Sequence, residues 1–124
     1  MNPIAIAALH GLIKGYAFKA PPTADPITQN FIGPLKEELL FRAMPGASAP
    51  GWATAAPFAL AHLKPGMDAD WALFRTADAF AGGLLYHAAY KQFGIFGSWA
   101  AHALHNIMVG VGSGLNEPAL PKRK

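Results

Sequence analysis

Apolar residues recur along this chain at helical spacing, and proline and glycine cut the pattern into five segments. The spacing predicts helices over about 3–18, 32–44, 52–63, 69–90 and 95–110. Pro3 and Pro34 fall in first turns, where a missing N–H costs nothing. Pro21-Pro22, Pro45-Gly46 and Pro65-Gly66 end the first three segments, and Pro57 sets a bend or restart in the third. Asp68 stands where the fourth helix needs an N-cap. No segment sustains strict alternation, and Ala, Leu and Phe outnumber the β-branched residues that strands favour. An all-α, compact bundle of about five helices in a single domain, 1–124, follows.

The polar positions inside these helices are few and patterned. In the fifth, Ser98, His102, His105, Asn106 and Ser113 fall on one stripe, and the other positions are apolar or glycine. His102 and Asn106 are four apart and stack on one face. Burying an imidazole or amide without partners costs roughly 1 to 3 kcal/mol, so the stripe predicts an interior polar site. In the second helix Glu38 precedes Arg42 by four residues, the favourable order for a helical ion pair. Glu37 points about 100° away and is left free. In the third, Phe58 and His62 share a face of an otherwise apolar segment. Gly82 and Gly83 read as packing positions, His10 as a packing or interface histidine, and His87 as a solvated residue near a helix end. Arg75 and Asp78, three apart, can pair with one another or mark a membrane boundary.

Composition sharpens this picture. Of 124 residues, 52% are hydrophobic and 14% charged, against about 25% charged in ordinary soluble domains. From Phe93 to Asn116 there is no Asp, Glu, Lys or Arg. That is enough for the 20 or so helical residues that cross a bilayer core. A membrane-embedded, multi-pass bundle is expected. The net charge of +3 equals the contribution of Lys122, Arg123 and Lys124, so the rest of the chain is balanced. Nucleic-acid binding, which needs a basic face, is excluded; a flexible basic tail, about 114–124, suits an anionic membrane surface. No cysteine is present, which removes thiolate ligands and nucleophiles.

Taken together, Glu37-Glu38 with Arg42, Phe58 with His62, and His102 with Asn106, in that order, resemble the motifs of the CAAX prenyl protease and bacteriocin-processing (CPBP, Abi) family of intramembrane proteases. Gly82, Gly83 and Tyr86 also match, and the resemblance spans about 33–110. It implies a short, minimal-length member with Glu37, His62, His102 and Asn106 catalytic and Glu38, Arg42 and Phe58 supporting. In the family the first-motif glutamate and second-motif histidine activate a water, and the third-motif histidine and asparagine stabilise the oxyanion. The implied partners are a peptide or protein substrate and membrane lipid, and a homo-oligomer is left open by the short length.

Two alternatives stay beside this expectation. Glu37, His62 and His102 would make a three-ligand site for a divalent metal such as zinc, although the metal-free glutamate mechanism is favoured and no cofactor is required. The same polar core would also serve a catalytically inert membrane scaffold, immunity or interaction protein, for which satisfied hydrogen bonds suffice.

Overall fold

The computed structural model describes residues 2–21 and 24–116. Among the described residues 81% lie in helices and no strand occurs. Helix α1 spans Pro3–Phe18, opened by the Asn2 side chain accepting from Ile4 N–H at 2.9 Å. Helix α2 is one rod of three parts: a π-helical turn Thr28–Ile32, an α-helical Gly33–Glu38 and a second π-helical turn Leu39–Ala43. Helix α3 spans Gly51–Leu60 and continues through Pro57. Helix α4 spans Ala69–Leu115, broken at Gly94, where φ is 75° and ψ −163°.

Gly94 converts α4 into a hairpin. A straight helix would hold Tyr86 and His102 about 24 Å apart, yet their rings stack with centroids 4.4 Å apart. The two arms therefore fold back on one another, and the reversal occurs at a residue whose φ suits glycine. The expected fourth and fifth helices are these two arms. Asp68 sits at the N-cap as expected, but its side chain makes no capping hydrogen bond.

Helix α1 lies along the second arm by close backbone approach. A Cβ on Gly11 would collide with the His105 carbonyl, one on Gly15 with the Val109 carbonyl, and one on Gly112 with the Leu12 carbonyl. This contact corrects the expected helix end at Gly110. The helix runs on to Leu115 because Gly112 and Ser113 pack on α1, where Ser113 Oγ donates to the Val109 carbonyl at 2.7 Å and accepts from Ala20 N–H at 2.9 Å. The rest of the expected basic tail lies outside the described residues.

Polar groups finish the α1–α4 seam. Asp78 accepts from His10 Nε2 at 2.8 Å and from Lys14 Nζ at 2.7 Å. Arg75 and Asp78 are therefore not partners, since His10 and Lys14 of α1 occupy both Asp78 oxygens. Burial opposes the charge on Asp78, but these hydrogen bonds overcome it and hold the carboxyl well below its usual range. His105 donates from Nδ1 to the Ala7 carbonyl at 3.1 Å. Burial, with Lys14 and His10 nearby, pushes its pKa down to about 3.

The second helix starts earlier than expected, for a reason that reaches the site. A proline ring clashes with the carbonyl four residues back. The wide turn before Pro34 relieves this, with Gly33 N–H bonding to the Thr28 carbonyl, five residues back. In that register the Gln29 carbonyl would need the N–H of residue 34, which proline lacks. Asn106 Nδ2 on the second arm of α4 supplies it at 3.0 Å.

The interior is inverted relative to an ordinary domain. Glu38, Arg42, Thr54, His87, Ser98, His102, His105 and Ser113 are buried around a small core of Ala7, Phe58, Tyr86, Ala89 and Ala101. Met44, Leu73 and Phe96 stand exposed. His87 is thus not solvated. It packs under α3 with Nδ1 against Thr54 Oγ1 at 3.2 Å, and burial lowers its pKa. Even so, no helix of the described residues is long and apolar enough to cross a membrane. The expected membrane embedding is not supported, because the uncharged stretch carries His102, His105, Asn106 and many small residues that dilute its hydropathy.

Two outcomes follow. Gly11→Val is expected to cost at least 1 to 3 kcal/mol of stability, while Gly110→Ala, with open space around it, is neutral or stabilising. Denaturant melts of both variants check this; equal stabilities would contradict the close approach. Because the folded His105 pKa lies below its ordinary value of 6.5, its contribution is complete above that value and is lost as pH falls towards about 3. Melting temperature should drop between pH 6.5 and 4, with a limiting slope of about 1.4 kcal/mol per pH unit. His105→Gln should flatten that profile.

Candidate active site

The site begins with the phase of α2. Adjacent residues on a helix point about 100° apart, so Glu38 turns inward to zero exposure while the Glu37 side chain keeps 40%. Glu38 meets two partners. Its Oε1 lies 3.4 Å from Arg42 Nε, the expected i, i+4 ion pair, and its Oε2 accepts from His102 Nδ1 at 2.7 Å. Arg42, also fully buried, donates from Nη2 to the Gly83 carbonyl at 2.7 Å. Burial pulls the guanidinium below its ordinary pKa, and Glu38 opposes that pull. One ion pair thus fastens α2 to both arms of the α4 hairpin.

Phe58 is the hub of the wall behind this pair. The Arg42 guanidinium stands 4.7 Å from its ring centroid, and the rings of Phe41, Tyr86 and His102 meet it edge-on at 5.5, 5.8 and 5.6 Å. Tyr86 stacks on His102 at an interplanar angle of 11°. Burial, with Glu38 nearby, raises the Tyr86 pKa well above its ordinary value, so its hydroxyl stays neutral. Gly83 packs on α3 as expected, leaving 3.1 Å between a would-be Cβ and Ala55, whereas Gly82 opens the wall. The sequence had marked Tyr86 only through the family pattern. Its stacking on His102 has no local signal, because the contact crosses the hairpin.

His62 lies just past the end of α3, not within it as expected, because the helix stops at Leu60 and tightens into i−3 hydrogen bonds at His62 and Leu63. Its Nδ1 donates to the Phe58 carbonyl at 2.7 Å. That bond satisfies an orphan carbonyl of the helix end and leaves Nε2 as the available nitrogen. His102 is fixed the same way: Glu38 holds Nδ1, and Nε2 faces Glu37 Oε2 at 3.3 Å. Asn106 gives one amide hydrogen to Gln29 and retains a second.

Glu37, His62, His102 and Asn106 all line one cavity of about 670 Å³. Glu38 and Arg42 lie behind its wall, and Phe58 forms part of it. Among the described residues no three His, Asp or Glu side chains come close enough together to hold a metal ion. The alternative ligand set Glu37, His62 and His102 is therefore not assembled as one.

A family model described as type II CAAX prenyl endopeptidase, Rce1-like, matches residues 19–108. The chain belongs to that family. No curated protein and no solved structure matches the chain. The Rce1-like match takes in α2, α3 and the α4 hairpin through Asn106, so every cavity residue named above lies within it. The Rce1-like family is a CAAX-type protease family whose substrates are peptides or proteins, and it is membrane-associated.

Removing one partner of the buried pair should be severe. Glu38→Ala leaves Arg42 an uncompensated buried cation and is expected to cost about 3 to 5 kcal/mol. The double variant Glu38→Met with Arg42→Met should recover much of that loss. Denaturant unfolding of the single and double variants checks the ordering. A Glu38→Ala protein as stable as the parent would show that the pair does not hold the fold.

Proposed function

We propose that the cavity hydrolyses a peptide bond using a water activated by Glu37. The observation that carries this reading is the pairing of Glu37 with His102 Nε2 at 3.3 Å on the wall of the shared cavity, while Glu38 is consumed by Arg42 and by the other His102 nitrogen. One carboxylate holds the frame and its neighbour remains free to take a proton.

In this mechanism the water sits between Glu37 and His62 Nε2. Glu37 accepts a proton as the water oxygen adds to the scissile carbonyl carbon. The carbonyl oxygen becomes an oxyanion and accepts hydrogen bonds from the second N–H of Asn106 and from His102 Nε2, which donates in this step with the ring carrying protons on both nitrogens. Glu37 then passes the proton to the amide nitrogen as the C–N bond breaks, giving a carboxylic acid and an amine. No metal is needed for this proton balance. The orphaned Gln29 carbonyl and the buried Glu38 oxygen act here as positioning groups, since each fixes a donor before substrate arrives. The apolar exterior fits work at a membrane surface, in keeping with the family's membrane association.

Glu37→Gln tests the assignment, because it keeps shape and hydrogen bonding and removes the base. Peptide hydrolysis should fall by about 10² to 10⁴ with the melting temperature unchanged, since the Glu37 side chain is 40% exposed. Cleavage persisting at the parent rate in a folded Glu37→Gln protein would leave the polar core as packing alone.

A further inference from the structure

The cavity wall carries one imidazole that the proposed chemistry does not use. His105 is 4% exposed and lines the cavity together with His102 and Asn106. Its Nδ1 edge is turned to α1, where it donates to the Ala7 carbonyl at 3.1 Å. A carbonyl has no proton to give, so Nδ1 carries the ring hydrogen and Nε2 is left with a lone pair. Nothing among the described residues bonds to that lone pair. The neighbouring rings do not take it either. His10 meets His105 tilted at 58° with centroids 4.8 Å apart, and Tyr86 stands edge-on at 6.0 Å, both without a hydrogen bond to it.

The surroundings fix what this nitrogen can take. Burial, with Lys14 and His10 nearby, holds the ring neutral at any pH well above about 3, so Nε2 is an acceptor there and never a donor. The same two side chains oppose a positively charged ligand. An ionised carboxylate brings no hydrogen to donate. What remains is a neutral N–H or O–H, and a peptide brings a neutral N–H at every residue except proline. The spacing adds a position. His105 and His102 are three residues apart on the second arm of α4, and such neighbours have Cβ atoms about 5–6 Å apart. An extended peptide advances about 3.3 Å per residue. A backbone N–H at His105 therefore belongs one or two residues from a carbonyl held at His102.

We propose that His105 Nε2 accepts a hydrogen bond from one substrate backbone N–H, one or two residues from the scissile carbonyl. This rests on the hydrolase reading above for where the scissile bond lies, but the binding step stands apart from it. A site built around a lone acceptor rejects a ligand that lacks the matching donor. His105 is thus a specificity residue: the cavity takes a secondary amide at that one position and refuses proline or an N-methylated residue there. A side-chain hydroxyl is the competing source of the same chemistry.

The test is binding, read by fluorescence anisotropy on the Glu37→Gln background so that turnover does not intervene. The probe is the dansyl-labelled hexapeptide amide glutamine-valine-phenylalanine-alanine-leucine-asparagine, with a set of the same peptide N-methylated at one backbone nitrogen at a time. One member of the set should bind about tenfold weaker than the parent peptide, and the others within about threefold. His105→Phe should weaken the parent peptide about tenfold and the sensitive N-methyl peptide hardly at all, because the bond is already gone. His105→Gln, whose amide can donate to Ala7 and accept with its oxygen, should restore the discrimination. In the protein with His105 intact, the 15N resonance of Nε2 should shift on adding the parent peptide and stay in place with the sensitive N-methyl peptide. That reading holds even if His105→Phe does not fold. A flat N-methyl scan, equal losses on His105→Phe, an unmoved Nε2 resonance, or no measurable binding of any probe would each overturn the acceptor. So would recovery of binding when serine is placed at the sensitive N-methylated position, which assigns a hydroxyl instead. Cleavage assays on the parent protein separate the two readings. Cleavage with a flat scan removes the acceptor and keeps the hydrolase, whereas His105-dependent binding without cleavage keeps the acceptor and removes the hydrolase.

Discussion

The fully buried contact between Glu38 and Arg42 organises this molecule. Two charges taken out of water are stable only if each finds enough partners, and these partners come from everywhere else in the fold. Glu38 reaches across to His102 on the second arm of α4, and Arg42 reaches Gly83 on the first. The pair therefore does what a larger apolar core would do in another protein. Phe58, under the guanidinium and against Tyr86 and His102, supplies the apolar complement. The pair specifies shape: few other arrangements of these helices would bring Glu38 to Arg42 and His102 and Arg42 to Gly83 at once.

That constraint also separates two neighbouring carboxylates. Glu38 is spent on architecture at zero exposure, whereas Glu37, one residue and about 100° away, lines the cavity. Three polar side chains of the cavity wall have one atom fixed by the frame: His102 through Glu38, His62 through Phe58, Asn106 through Gln29. Such preorganisation is what the proposed hydrolysis would require of a low-dielectric site.

Much of this was legible along the chain because it rests on short periods. The i, i+4 relation of Glu38 to Arg42, the stripe from Ser98 to Ser113 and the shared face of Phe58 and His62 are local geometry, and each appears in the fold. What escaped depends on partners far away in sequence. Asp78 could have paired with Arg75 or marked a membrane boundary, yet helix α1 brings His10 and Lys14 to it from more than sixty residues away. His87 looked solvated until α3 covered it. The helix ends at Gly110 and Ile32 were misplaced because Gly112 docks on α1 and because a π turn lets the chain pass Pro34. The uncharged stretch suggested a membrane span, but the residues that build the site are the ones that make it too polar for that.

The reversal at Gly94 has one more implication. Between that residue and His102 runs the uncharged stretch Ile95 to Ala101, in which Ser98 and Ala101 are fully buried. Its length is another matter. Inserting or deleting one residue would rotate the returning arm by about 100°, swinging the imidazole off Glu38 and exchanging the wet face of the arm for its oily one. In that stretch the number of residues is inherited information in its own right, beside their identity.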